Sequence, residues 1–310
     1  MKRIQYYAYG GPETMKLEDF ALETPGPGQV AVKVEFTAIN PIDWKVRQGA
    51  LKIMTGKSFP RTMGIDFSGT VISVGGGVTR FRAGDAVFGL ARLKQSGALG
   101  EAVVTNEAFI AKKPDNISFA EAACLGTPGV TAWNGLVDKA ALQGGQSVFV
   151  NGCAGAVGAA AVQIARILGA TASGSCSAEA MPRARELGVQ KLFDYRKTDL
   201  SALTDRFDVV YDTAAVMPTA TGLHLAGNGG VFIDIEPTPA KFLRSLFNRK
   251  LKPVVCTPRA DILDEIARAA REGKLRLPVT ETVPLREAIP FIASLEKGRK
   301  IGGKALVAMA

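Results

Sequence analysis

Apolar and polar residues alternate along QVAVKVEFTAI, at 29–39, a period of two that predicts a strand with one wet face. GTVISVGGGVTRFRAGDAVFG, at 69–89, predicts two strands joined by a glycine-rich turn, with Gly84-Asp85 marking another turn. ALGEAVVTNEAFIAKKP, at 98–114, completes an all-β segment. From about position 119 the texture changes. FAEAACLGTPGVTAWNGLVDKA predicts two helices interrupted at Thr127-Pro128-Gly129. Strand and helix patterns then alternate: SVFVNG, VGAAAVQIARILG, ATASGS, AEAMPRARELG, followed by the short strands KLFDY, FDVVYDT and GGVFIDI. Such alternation implies a parallel sheet with helices on both faces. After Pro258, DILDEIARAAREGKL predicts an amphipathic helix, and KIGGKALVAMA closes with a strand. The expected class is α/β, with a nucleotide-type domain at 121–257 inserted in a β-rich domain built from 1–120 and 258–310.

Composition narrows the chemistry. With 310 residues, 47% apolar and 22% charged, the chain can bury a sizeable core. No apolar stretch reaches the roughly 18 residues of a membrane span, so no integral membrane segment is expected. The opening MKRIQYYAYGGPE lacks the apolar core of a secretory signal, and a cytoplasmic location is expected. Cysteines at 124, 153, 176 and 256 are isolated, and His224 is the single histidine. Neither a metal site nor a Ser-His-Asp triad is expected from that inventory. The net charge of +9 comes from Lys and Arg spread over the whole length, which argues against a nucleic-acid partner. The densest basic run, KFLRSLFNRKLK at 241–252, could lie on a membrane surface or nucleic acid, or form a solvated amphipathic helix beside a ligand phosphate.

NGCAGAVG, at 151–158, follows a predicted strand and opens a predicted helix. Its glycines, Gly152, Gly155 and Gly158, recur every third residue. In that setting the backbone of Ala154, Gly155, Ala156 and Val157 can meet a pyrophosphate at a helix N-terminus, and Gly158 lets the helix pack tightly on the sheet. The competing reading is that all three glycines serve packing alone. An NAD-selective site usually places a carboxylate about 20 residues further on, at the end of the second strand. Here that strand ends in SGSCSA, with Ser175 and Ser177, and Glu179 falls where the next helix begins. Arg183, Arg185 and Arg196 follow, a pattern that favours the 2′-phosphate of NADP(H).

Several segments in chain order resemble the zinc-independent quinone oxidoreductases of the medium-chain dehydrogenase/reductase superfamily. They are TAINPIDWKVRQG at 37–49, FPRTMGIDFSGTVISVGGGVTRFRAGDAVFG at 59–89, AEAACLGTPGVTAWNGL at 120–136, NGCAGAVGAAAVQIAR at 151–166, FDVVYDT, and the stretch EGKLRLPVTETVPLREAIPFIASLEKGRKIGGKALV. The resemblance implies a Rossmann-type doubly wound sheet inserted in a GroES-like catalytic domain, NADP(H) as cofactor, and a homodimer. It implies that Asn40 and Thr127 lie near the nicotinamide, that Tyr195 and Arg196 lie by the adenosine, and that Thr213 follows a cofactor-facing strand. Asn40, Asp43 and Lys45 become the catalytic candidates, although Lys45 could equally be a surface lysine. The acceptor implied is a quinone or an α,β-unsaturated carbonyl.

Two departures matter. Zinc-dependent relatives carry a ligating Cys and a G-H-E motif, where this chain has Asn40-Pro41 and Gly64-Ile65-Asp66. A lysine often found on the helix after the second strand is replaced near Ala180. A non-catalytic NADPH-binding protein and an enoyl-thioester reductase remain open as alternatives.

Overall fold

The computed structural model describes residues 1–93 and 97–309; positions 94–96 and 310 of the expected β-rich domain lie outside the described residues. The chain forms two compact units, Met1–Thr127 with Pro258–Ala310, and Pro128–Thr257.

The first unit begins with strands β1 (Lys2–Tyr6), β2 (Met15–Asp19) and β3 (Gln29–Ile39), then helices α1 (Pro41–Arg47) and α2 (Lys52–Thr55). Strands β4 (Arg61–Thr62), β5 (Asp66–Val74), β6 (Ala86–Leu90), β7 (Ala102–Asn106) and β8 (Ile110–Lys112) follow. The alternation in β3 predicts one wet face, yet Val30, Ala31 and Val32 are all fully buried. The pairing of β3 with β5 shifts register between Ala31 and Val32 and again between Val34 and Phe36, and such irregularities break a strict period of two. Strands β3 and β7 also pair, so this strand is internal to the sheet, while Lys33 stays exposed on the face opposite Val30, Val32 and Val34. Helix α3 (Phe119–Ala123) packs on β3 and β5, and Ser68 Oγ donates to the Phe119 carbonyl. The unit therefore runs on to Thr127, past position 120 where the texture changes.

The expected helix break at Thr127-Pro128-Gly129 is corrected. Helix α4 spans Gly126–Trp133, and the interruption lies at Cys124-Leu125. Pro128 sits in the first turn of α4, where its missing N–H removes no intrahelical bond.

The second unit holds β9 (Ser147–Asn151), helix α5 (Ala156–Ile167), β10 (Thr171–Cys176), α6 (Met181–Glu186), β11 (Lys191–Asp194), β12 (Val209–Asp212), α7 (Thr219–Leu225), β13 (Val231–Asp234), α8 (Pro239–Phe247) and β14 (Leu251–Pro253). Its sheet has the order β11-β10-β9-β12-β13-β14, and each of these pairings is parallel. That is the doubly wound order in which the strand sequence reverses beside the first strand. Val148, Phe149 and Val150 are fully buried on both faces, as a covered parallel sheet requires. Ala159, Ala160 and Ala161 of α5 are buried too, and their small side chains bring the helix close to the sheet.

The chain returns to the first unit through α9 (Ala260–Arg271), β15 (Val279–Pro284), α10 (Ala288–Glu296) and β16 (Lys304–Ala308). Helix α9 buries Ile262, Leu263 and Ile266 against β8, about 1.5–3 kcal/mol for each such side chain. Strand β16 enters the large sheet between β15 and β3. The architecture is thus α/β, a Rossmann-type parallel sheet together with a β-rich GroES-like part. No helix among the described residues is long and apolar enough to cross a membrane.

Candidate active site

In the second unit, the loop after β9 carries the three glycines. Gly152 has φ +80°, a left-handed conformation that suits glycine. A Cβ on Gly158 would lie 2.1 Å from the Gly152 carbonyl oxygen, so the loop closes against the first turn of α5 only without a side chain there. Gly155 is the N-cap of α5 in an extended conformation, with no side-chain cap. The first-turn amides of α5 are therefore open to an anion, with the positive end of the helix dipole behind them. A loop closed by an absent Cβ and an uncapped helix start fit a pyrophosphate. Ala154, Ala156 and Val157 line the same turn, and Arg183 Nη2 donates to the Ala154 carbonyl at 2.5 Å.

Neighbouring strands add polar groups at their carboxyl ends, beside the strand where the order reverses. Thr213 follows β12, and its hydroxyl donates to the Asn151 carbonyl at 2.7 Å. Ser177 follows β10, ahead of Glu179. Tyr195, half-exposed, follows β11 with the Arg196 guanidinium over its ring, 5.5 Å from the centroid. Arg196 Nη1 lies 2.9 Å from Glu179 Oε1. Hydrogen bonds from Ser177 and a backbone amide, with the Arg196 contact, pull the Glu179 carboxyl down to about 2. Ser175 is a correction. It is fully buried and donates to Asn151 Oδ1 at 2.5 Å, so its hydroxyl is spent inside the sheet and only Ser177 remains for a ligand. That commitment follows from the pairing of β10 with β9, which sets Ser175 opposite Asn151.

In the first unit, Asn40, at the C-terminal end of β3, is the centre of a buried polar network. Its amide Nδ2 donates to Asp66 Oδ2 at 2.9 Å, and its Oδ1 accepts from Lys304 Nζ at 2.6 Å. Lys304 Nζ also donates to the Ile39 carbonyl at 3.2 Å. Asp66 Oδ1 accepts from the Thr127 amide at 2.7 Å and the Thr127 hydroxyl at 2.6 Å, placing a carboxylate at the start of α4. Asp43 Oδ2 accepts from the Asn40 amide at 2.7 Å, which closes the first turn of α1. Its other oxygen, Oδ1, is buried and lies outside hydrogen-bonding geometry.

Burial dominates the electrostatics of this network. It pushes Asp43 up to about 7, with the Asn40 amide opposing, nearby Asp66 adding to the rise and Lys304 opposing it. Burial also raises Asp66, opposed by Lys304, Thr127 and Asn40. Burial pushes the Cys124 thiol up to about 12, which removes it as a nucleophile.

Asn40, Asp43 and Thr127 thus come together around Asp66 and Lys304. Lys45 does not join them: it is exposed on α1. His224 lies exposed in the last turn of α7, 3.1 Å from Arg206 Nη2. Asp66 and Lys304 were missed as site residues. The signal for Lys304 was present, because it is the one charge in the apolar strand KALVA. Among the described residues, no group of three or more His, Cys, Asp or Glu could hold a metal ion, and the four cysteines are free.

Residues 26–115 match the model of the alcohol dehydrogenase GroES-like domain, and residues 187–307 match that of the zinc-binding dehydrogenase. The chain is 30% identical over 307 residues to a chloroplast envelope quinone oxidoreductase homolog of Arabidopsis thaliana, covering 93% of this chain and 92% of that protein. It is 33% identical over 290 residues to a chloroplastic NADPH-dependent alkenal/one oxidoreductase of Arabidopsis thaliana, covering 91% and 72% respectively. The solved quinone oxidoreductase from Coxiella burnetii superposes with a TM-score of 0.87 at 28% identity, over 100% of this chain and 99% of that one.

Proposed function

The chain belongs to the quinone oxidoreductase family of the medium-chain dehydrogenase/reductase superfamily, and we propose that it is an NADPH-dependent reductase of quinones and α,β-unsaturated carbonyls that needs no metal. It is an oxidoreductase with the fold of nicotinamide-dependent dehydrogenases. The observation that carries the metal-independent reading is the closure of the network on Asn40. Its Oδ1 is used by Lys304 and its Nδ2 by Asp66, while Asp66 is shared with Thr127. At the position of the second metal ligand of zinc enzymes, Ile65 offers no donor at all. A Lewis acid needs thiolate, imidazole or carboxylate groups with free lone pairs.

When bound, reduced nicotinamide supplies the hydride. The chain's own contribution is to bind and orient. The first-turn amides at Ala156, Val157 and Gly158 would hold the pyrophosphate, in a turn shaped by Gly152, Ala154 and Gly155, whose own amide donates to the Gly152 carbonyl at 2.9 Å. Ser177, Arg183, Tyr195, Arg196 and Thr213 would hold the adenosine end. Asn40 and Thr127 are assigned to the nicotinamide end, with Asp43 fixing the backbone of the Asn40 turn and Lys45 offering a cation to an acceptor oxygen as charge develops on it. The proton that completes reduction comes from water. Holding reactants in register can supply several kcal/mol of barrier reduction, about 7–11 in the best intramolecular cases.

The name of the alkenal/one oxidoreductase relative supports both the cofactor and the acceptor class. Initial rates with NADPH and with NADH, across quinones, enones and enals, test the reading. Turnover with NADPH favoured is the expected result. Turnover with NADH favoured would overturn the cofactor assignment, and NADPH binding with no turnover on any acceptor would overturn the reductase assignment.

A further inference from the structure

Strand β16 carries a charge where its apolar pattern has no use for one. Lys304 opens KALVA, inside the large sheet, and is only 4% exposed. An ammonium is rarely taken out of water unless something balances it. The Ile39 carbonyl, at 3.2 Å, and Asn40 Oδ1, at 2.6 Å, accept from it, and both are neutral. The balancing charge lies one side chain further on. The Asn40 amide bridges the ammonium to Asp66, its Nδ2 donating to Asp66 Oδ2 at 2.9 Å.

Asp66 is fully buried, and its other oxygen accepts from the Thr127 amide and hydroxyl at 2.7 and 2.6 Å. Three donors converge on this one carboxyl. The ionised form fits such a site, because a proton on it would set an O–H against groups that already donate. The same chain of contacts gives the Asn40 amide a direction. Turned over, it would point its N–H groups at the ammonium and its oxygen at the carboxylate.

The cation in this network comes from β16 alone. Asp43 on α1 and Cys124 at the end of α3 also act on Asp66, and neither supplies positive charge. Lys304 accordingly opposes the rise that burial imposes on Asp66. Without it Asp66 takes up a proton more readily, the Asn40 amide is free to turn over, and Thr127 loses a charged acceptor.

We propose that Lys304 is a positioning residue for the nicotinamide end of the cofactor: its ammonium is the counter-ion of Asp66, and the carboxylate so held orients Asn40 and anchors Thr127. The pairing stands on the network itself, whereas the positioning rests on the cofactor reading above.

Lys304→Met keeps much of the side chain and removes the charge. Asp43 titrates in the same range, so the comparison is made in an Asp43→Asn background. Urea midpoints of the cofactor-free protein test the pairing. With Lys304 gone, Asp66 holds its proton to higher pH in the folded chain than before, which extends the interval over which stability falls as pH rises. The stability lost on Lys304→Met should therefore be greater near pH 8.5 than near pH 5. Adding Asp66→Asn should abolish that difference, because no buried carboxylate is then left unpaired. A single variant that fails to fold beside a double variant that folds carries the same meaning. Fluorescence titration with NADPH tests the positioning. From pH 8.5 to pH 6.5 the Kd of the Lys304→Met variant should weaken about tenfold more than that of its background, and the double variant no more than the background. Lys304→Arg keeps the cation and should follow the background in both measurements.

An equal stability loss at both pH values would overturn the proposal, as would failure of the double variant to fold. A pH-dependent stability loss with an unchanged Kd profile would overturn the positioning and leave Lys304 a counter-ion only. Absence of NADPH binding in the parent would overturn the cofactor reading and the positioning with it, and the urea result would still decide the pairing.

Discussion

Asp43 keeps one carboxylate oxygen on the Asn40 amide and leaves the other buried outside hydrogen-bonding geometry. Its carboxyl therefore titrates at about 7 when folded, against an ordinary value of 3.8. Between those two values the folded chain holds a proton that the unfolded chain has lost. Stability must then fall as pH rises through about 4 to 7, and the slope ends above the folded value. Asp66 is raised in the same sense and adds to the fall. Asp43→Asn keeps an acceptor for the Asn40 amide and removes the charge. Urea midpoints taken near pH 4.5 and near pH 8 should show the parent losing on the order of 3 kcal/mol more than this variant over that interval. Parallel slopes would mean that Asp43 is not held protonated by burial. At the other candidate site, Glu179 pairs with Arg196, the guanidinium proposed for the adenosine end of the cofactor. Arg196→Gln should raise the KM for NADPH about tenfold with little effect on NADH, and Glu179→Gln should lower the KM for NADPH. Equal changes for both cofactors would remove Arg196 from the 2′-phosphate. Asn40 and Asp43 were legible in the sequence because they share one short motif. Asp66 and Lys304 complete their network from 26 and 264 residues away, a juxtaposition made by strand pairing that no local pattern encodes.

The strands and helices around the glycine loop were legible because each is a short run with a clear period and a turn residue at its end. Where tertiary contact overrode the local pattern, the reading failed. Pro128 starts a helix instead of breaking one, and α8 presents its apolar face to water, whereas β3 buries Val30, Val32 and Val34 on one face and keeps Lys33 exposed on the other. The glycine loop shows the limit of motif reading from another side. Packing and phosphate binding were opposed readings, but the geometry lets Gly158 serve both. Its hydrogen faces the Gly152 carbonyl, and that close approach shapes the turn whose amides stay open. Gly158→Ala would drive a Cβ to 2.1 Å from that oxygen. The loop must move, at a cost of about 1–3 kcal/mol in stability. Equilibrium titration should show NADPH affinity falling at least about tenfold. A variant with normal affinity and normal melting would show that the loop has slack and that the glycine is incidental.

At the scale of the whole molecule, one unit carries a parallel sheet whose strand order reverses beside the glycine loop, and the other carries a buried network with a fixed ammonium at its centre. Family membership makes the chain an oxidoreductase, and the metal-free reading rests on side chains at Asn40 and Ile65 that replace ligands. The most direct test is NADPH oxidation with a quinone or an enone before and after exhaustive chelation, with the metal content of the treated protein measured alongside. The account predicts an unchanged rate in protein carrying far less than one metal ion per chain. Loss of the rate on chelation, restored by added zinc, would contradict it.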